Sequence, residues 1–406
     1  WAYDYHNAKK SLLKQFNVAS LDAFEIEFKH YGISAAGALI EYLLETQKRQ
    51  LSHISGIQLI KDNSYMFLDT QTRRNLEITE TIRDRKKKGS LLWLMDRTLT
   101  NMGGRTIRKW LEQALVESSS INLRLDAVEE LVKQSVIREQ IVEILPDIRD
   151  LERLAGKIAY GSLNPRDCLS IGESLIKLPA LKAILSQLKS AYLKKITSDI
   201  NLMEDIKELI IKAIDPNAPI IIKDGGYIRD GYNAELDELR KIRSGGEKWI
   251  AGIEATEKEI TGIKNLKIGY NKVFGYYIEI PKSNIDKAPY RYIRKQTLTN
   301  CERYITDELK KVEDQILHSE EKSILLESKL FEELKDILTK EIEALKTNAK
   351  AVGIADTLCS FASLAVSNRY IKPAVSDKLK AIRISGGRHP VVEAMLKTNE
   401  YVGNDT

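Results

Sequence analysis

A chain of 406 residues, 43% apolar and 30% charged, is long enough for two to four domains and has the composition of a soluble, helix-rich protein. The formal net charge is +5. No apolar run approaches the ~18 to 20 residues of a membrane span, and the start lacks the basic and apolar blocks of a secretion signal. Cys168, Cys301 and Cys359 lie far apart without a CxxC, so neither a disulfide framework nor a zinc site is indicated, and a reducing, cytoplasmic compartment is expected.

The chain has no initiator Met and is expected to be a piece of a longer protein. Within residues 1–50, SLLKQFN (11–17) and ISAAGALIEYLLETQK (33–48) repeat apolar positions at helical spacing. Residues 51–69 alternate polar and apolar and read as an extended connector. From Thr72 to about Ile210 helices are predicted throughout. GSLLWLMDRTL (89–99) opens on a cap-like Gly-Ser pair. TNMGGRTIRKWLEQAL (100–115) opens with a turn, and Gly103-Gly104 is expected to join two helices tightly. The face Ile107, Trp110, Leu111, Leu115 predicts Trp110 buried between core helices. Asn164-Pro165 starts another helix, Asp215-Pro216 and Pro219 break the pattern, and DGGYIRDGYN (224–233) is a turn-rich corner.

A helix is predicted from about Ala234 to Gly262, with an interruption expected at Gly245-Gly246. The stretch 266–300, LKIGYNKVFGYYIEIPKSNIDKAPYRYIRKQTLTN, then sets β-branched and aromatic residues in near alternation, broken by Gly, Pro281 and Pro289. That is a strand-and-turn pattern. Between Lys264 and Arg303 stand nine Lys/Arg and three acids, +6, so the rest of the chain sums to −1. A basic β module with interleaved aromatics suits contact with a phosphate backbone; a solvated basic loop is the bland reading. Residues 290–352 contain neither Gly nor Pro. Ile305, Leu309, Val312, Ile316 and then Leu330, Leu334, Ile337 step by 3 and 4, a coiled-coil-like seam. One helix from about Glu302 to Val352 would run roughly 75 Å. Beyond Pro373, LKAIRISGGRHPVVEAML (379–396) reads as a short strand, a glycine turn and the opening of an α/β domain. The expected fold class is mainly α: a helical core, two long helices, an inserted small β module, and partial α/β pieces at both ends.

No GxxxxGK[ST] phosphate loop occurs anywhere, so no complete nucleotide site, catalytic constellation or ATP hydrolysis is expected in this chain. The histidines (6, 30, 53, 318, 389) have no partners at metal-ligand spacing and read as structural. The RDRKKK run (83–88) reads as a solvated basic loop, with DNA contact the alternative.

Seven blocks carry a resemblance: DTQTRRNLEI (69–78), LTNMGGRTIRKWL (99–111), RDLERLAGKIA (149–159), DGGYIRDGYNAELDELR (224–240), LKIGYNKVFGYYIEI (266–280), YIRKQTLTNCERYITDELKKVEDQI (292–316) and ISGGRHPVVE (384–393). In this order the chain resembles the MutS family of bacterial DNA mismatch-repair proteins. The resemblance implies the end of a connector domain (1–50), a linking segment (51–69), a core/lever domain in two segments (70–246 and 307–377), an inserted clamp (247–306), and the truncated start of an ATPase domain (378–406). It implies DNA-backbone contacts from Asn271 and Asn300 of the clamp, with Lys272, Lys295, Gln296, Thr297 and Thr299 beside them. Thr299 stands where some members have Lys, and Lys272 and Lys295 are the nearby substitutes. Tyr401 occupies the place of the aromatic that stacks on adenine. The family's mismatch-wedging Gly-x-Phe-Tyr-Glu motif does not occur in this sequence, so the chain is expected to hold duplex DNA without reading a mismatch. ATP and Mg, and a homodimer, are implied for the whole protein; no cofactor, metal or membrane is expected for this chain. The rival reading is a coiled-coil structural or dimerisation arm whose β tip binds protein.

Overall fold

Asp4 accepts hydrogen bonds from the backbone N–H groups of His6 and Asn7 and so starts α1 (Tyr5–Phe16). The helix ends where Asn17 takes the left-handed conformation. Leu12 of α1 and Ile33 and Ile40 of α2 (His30–Gln47) share an apolar cluster with Leu21 and Ile26. In this computed structural model the described residues are 1–47, 51, 54, 56, 57, 59, 65–219, 222–271, 275–378, 381–396 and 401–406. The expected connector at 51–69 lies partly outside them; Tyr65 forms a bridge with Leu115.

The helices that follow are α3 (Thr70–Asn75), α4 (Leu91–Met95), α5 (Asn101–Glu112), α6 (Ser118–Lys133), α7 (Ser135–Ile144), α8 (Leu151–Tyr160), α9 (Pro165–Leu185), α10 (Ala191–Asp199), α11 (Glu204–Ala213) and α12 (Ala234–Thr261). Four strands come next: β1 (Lys267–Asn271), β2 (Gly275–Pro281), β3 (Ile293–Thr297) and β4 (Cys301–Ile305). Then α13 (Asp307–Lys340), α14 (Ile342–Asn368) and α15 (Pro390–Met395) complete the chain. The fold is mainly α with one small antiparallel sheet. It divides into one unit of 1–163, 170–207 and 338–406 and a second of 164–169 and 208–337.

In the first unit α14 is the axis, and α4, α5, α6, α7, α8 and α10 pack around it. Its buried positions run right round the helix, from Ile342 and Leu345 to Ala362 and Leu364. Among the described residues α14 alone is long and apolar enough to cross a membrane, a feature the run-based reading of the sequence missed; 67% of its most apolar window is buried inside the protein, as in a core helix. Asp356, 1% exposed, accepts from the N–H groups of Leu99 (3.0 Å) and Thr100 (2.8 Å) and from the Thr100 hydroxyl (2.7 Å). Thr100 in turn caps α5 by accepting from the Gly103 N–H at 2.9 Å.

Gly103-Gly104 is therefore not a connection between helices: both residues lie inside α5. A Cβ on Gly103 would sit 2.2 Å from the Asp356 carboxylate, so the glycine serves close approach, not a turn. Trp110 differs from expectation too. It is only half-buried, with the Arg124 guanidinium 3.6 Å above its ring and Phe361 6.2 Å away. Trp110→Ala is accordingly expected to cost about 1.5–3 kcal/mol in urea unfolding, below the ~3–5 of a fully buried aromatic. A loss under ~0.5 kcal/mol would show that the Arg124 stack contributes nothing.

In the second unit α12 and α13 run antiparallel, joined by Arg240 to Glu327 (2.8 Å) and Arg243 to Glu320 (3.5 Å). The expected interruption at Gly245-Gly246 is absent, because α12 is continuous there. A Cβ on Gly246 would meet Ile316 at 2.5 Å, so this glycine again serves a helix crossing. The long helix expected over 302–352 is two helices broken at Glu341, and its first residues belong to β4. Leu309, Val312 and Ile316 are buried as the seam requires, but further along it passes through Phe331, Leu334 and Leu338; Ile337 is exposed.

At the C-terminal end the expected short strand before the glycine turn does not form among the described residues. Ile384 pairs with Thr406 and Gly387 with Asn404 through reciprocal backbone bonds of 2.7–3.0 Å. His389 caps α15, its Nδ1 accepting from the Val392 N–H at 3.3 Å, a structural role as expected.

Candidate nucleic-acid interface

The sheet has the order β1-β2-β4-β3. Alternation decides its two faces. Ile278, Ile280 and Tyr304 point into a cluster with Ile250 and Ile253 of α12 and Leu309, Val312 and Ile316 of α13. The opposite face carries a polar row in register across all four strands: Lys267, Glu279, Arg303 and Gln296. Arg303 donates to Glu279 (3.1 Å) and Gln296 (3.1 Å) and lies 4.2 Å over the Tyr277 ring.

The two long helices hold the sheet with carboxylates. Glu254 accepts from the Ile268 N–H at 2.9 Å, which holds its carboxyl below the usual range. Glu257, 4% exposed, accepts from Arg291 (2.6 Å) and the Tyr292 hydroxyl (2.8 Å). Glu313 accepts from the Tyr276 N–H at 3.3 Å, and burial raises its carboxyl. On the sheet itself, Glu302 is buried and accepts from the Tyr304 hydroxyl (2.5 Å), Thr297 (3.3 Å) and Arg294 (3.5 Å). The Tyr304 hydroxyl bond favours the ionised form, so the Glu302 carboxyl is lowered. Burial raises the Tyr304 phenol to about 12.

The nine cations of the basic segment thus separate by role. Arg291, Arg294 and Arg303 are engaged by acids of the module. Lys264, Lys267, Lys282, Lys287 and Lys295 are exposed, and among the described residues no ion pair is formed by them, although the charge of Lys267 helps to lower the Glu254 carboxyl. Lys272 lies outside the described residues. Lys295 is the extra residue of a β-bulge between Arg294 and Gln296. Thr299 and Asn300 are exposed in the β3–β4 turn. The Lys282 N–H donates to the Asn300 carbonyl at 3.1 Å, bringing Lys282 to the same turn.

Among the other residues singled out from sequence, Asn271 is half-buried at the end of β1 and already has an interaction of its own. Gln296 accepts from Arg303 and Thr297 donates to Glu302, so both support the sheet. Tyr401 is half-buried in the C-terminal ribbon, away from the module in sequence. It offers a ring but no phosphate cradle, and no described group of His, Cys, Asp and Glu could hold a metal ion. Lys264, Lys267, Lys282 and Lys287 entered the sequence reading only as charge; the strand register singles out Lys267, the backbone bond to Asn300 singles out Lys282, and exposure alone marks Lys264 and Lys287.

Comparison with known proteins places this geometry in a lineage. Residues 71–362 match the family description MutS domain III, and residues 1–55 match MutS domain II. The DNA mismatch repair protein MutS of Alkaliphilus oremlandii (strain OhILAs) is 50% identical over 406 residues, all of this chain and 46% of the relative. The protein of the same name from Caldanaerobacter subterraneus subsp. tengcongensis is 48% identical over 402 residues, 99% of this chain and 46% of the relative. That from Symbiobacterium thermophilum is 42% identical over 403 residues, again 99% and 46%. The chain spans about half the length of the curated relatives it matches. The chain belongs to the MutS family.

Proposed function

We propose that the sheet with the adjoining ends of α12 and α13 is a clamp that holds duplex DNA by its phosphate backbone. It works within a longer protein that acts in DNA mismatch repair, as the relatives' names state. The observation that carries this is the separation of charge. Buried Glu257 and Glu302 and half-buried Glu279 engage the three arginines, while five lysines stand exposed around strand ends and turns. Phosphate contacts position and base contacts specify. Lysines with the exposed amide of Asn300 supply the first kind. Binding is therefore indifferent to sequence and to mismatches. ATP and Mg, a homodimer and a cytoplasmic location belong to the longer protein in this reading, with the long helices coupling the clamp to its ATPase.

A salt titration by fluorescence anisotropy tests the reading. Four sheet lysines on phosphates should contribute about −3.6 to the slope of log K against log salt, at ~0.9 per phosphate. Lys282→Ala and Lys295→Ala should each remove about one unit of slope, equally on matched and G·T duplexes. Asn271→Ala and Asn300→Ala should weaken binding with the slope unchanged, because a neutral amide displaces no counterion. An affinity independent of salt would refute the clamp and favour the protein-binding arm. A preference for the G·T duplex would refute binding without mismatch reading.

A further inference from the structure

We infer that the loop 81–90 of the first unit is a separate contact for the phosphate backbone of duplex DNA, independent of the sheet module. Five Lys/Arg (83, 85, 86, 87, 88) and the single acid Asp84 stand on these ten residues. Lys87 is engaged by Asp96 at 2.5 Å. Arg83, Arg85, Lys86 and Lys88 are exposed and have no acidic partner among the described residues.

The loop is a formed structure. The Thr81 N–H donates to the Lys86 carbonyl (3.0 Å), the Lys86 N–H to the Thr81 hydroxyl (3.3 Å), and the Arg85 N–H to the Thr81 carbonyl (3.1 Å). The Ile82 N–H donates to the Glu77 carboxylate at 2.6 Å. Fully buried Ser90 anchors the far end, donating to the Lys87 carbonyl (2.7 Å) and accepting from the Trp93 N–H (3.2 Å). Arg85 holds a φ of +50°, a conformation that L side chains rarely adopt. Four unneutralised cations on a closed turn repel one another, and a solvated run would relax by spreading. The backbone that carries them is already ordered, so contact with an anion costs only the freedom of the side chains.

The side chains point to one ligand chemistry. Residues 81–90 include no aromatic, Asn or Gln that could read or stack on a base, and Ile82 is the only apolar side chain. A protein partner needs anchors seated in pockets, which a loop of exposed lysines and arginines does not offer. A duplex backbone, with a charge every ~1.7 Å, needs only cations in fixed positions.

The test uses the full chain, a 30-base-pair matched duplex, and salt titrations of four proteins. These are the unaltered chain, a loop variant (Arg83→Gln, Arg85→Asn, Lys86→Gln, Lys88→Gln), a sheet variant (Lys264→Ala, Lys267→Ala, Lys282→Ala, Lys295→Ala), and the two combined. Asn replaces Arg85 because it tolerates the left-handed backbone. With three loop cations on phosphates the loop variant should lose about 2.7 units of slope, and the combined variant more than either alone. The milder pair Lys86→Gln, Lys88→Gln leaves Arg85 in place and should lose about 1.8 units, which guards against misfolding of the larger variant. A slope unchanged in both loop variants, with their unfolding midpoints intact, would overturn the inference whatever the sheet variant does. So would loop variants that lose affinity for polyglutamate while binding DNA as before. A slope lost in the loop variants and kept in the sheet variant would overturn the clamp alone.

Discussion

Replacing Asp356 with alanine should lower the stability of the first unit by about 3–5 kcal/mol, read from urea unfolding followed by far-UV circular dichroism. The carboxylate is the shared acceptor for the Leu99 and Thr100 N–H groups and the Thr100 hydroxyl. Without it, buried donors at the start of α5 are left unpaired, at about 1–3 kcal/mol each. Thr100 would also lose the bond that orients it as the cap of α5. Asp356→Asn should cost less, about 2 kcal/mol, since one carbonyl acceptor survives while the amide turns a donor toward donors. The pH dependence has a definite sign. Burial outweighs the hydrogen bonds and raises the Asp356 carboxyl in the folded state. Its contribution is therefore greatest below the unfolded value near 3.8 and falls as pH rises through the raised one. The penalty of Asp356→Ala should be larger at pH 4.5 than at pH 7. A loss below ~1 kcal/mol at both would mean that water replaces the carboxylate and that the α5–α14 contact is not dry.

What the sequence made legible was local. Ser90 caps its helix as the Gly-Ser pair suggests, and the seam through Leu309, Val312 and Ile316 follows from spacing alone. Glycine was misread twice for one reason. Gly103 and Gly246 look like turns in a linear window, yet each is fixed by a residue on another helix, Asp356 and Ile316. The shift of the seam to Phe331 and Leu338 arises similarly, because the face α13 buries there is set by its neighbours. At the interface, the concentration of charge in 264–303 could be counted, but its use could not. Arg291, Arg294 and Arg303 count like lysines until Glu257, Glu302 and Glu279 are seen to engage them, from 34, 8 and 24 residues away. An arginine's planar fork suits such pairs, and the strongly hydrated lysines are left outside.

Gly275 at the start of β2 offers the sharpest test of how the sheet is held. Its φ of +74° is left-handed, and a Cβ there would lie 1.7 Å from the Glu313 carboxylate. Gly275→Ala must therefore accept backbone strain of ~1–3 kcal/mol and also displace Glu313 from the Tyr276 N–H, a bond worth about 1 kcal/mol. The expected loss is about 2–4 kcal/mol, confined to the sheet module. Amide exchange should resolve it: protection falls in β1 and β2 while the amides of α5 and α14 exchange as before. Because Asn271 pairs with Gly275 across the hairpin, the clamp proposed above would lose DNA affinity several-fold with it. Glu313→Ala alone separates the two causes, since it removes the bond to the Tyr276 N–H and leaves the Gly275 backbone untouched, at a loss of only about 1 kcal/mol. If Glu313→Ala lowers protection as much as Gly275→Ala, backbone strain is not what the glycine avoids. Unaltered exchange in Gly275→Ala would mean that neither the left-handed backbone nor the Glu313 contact holds the sheet to α13.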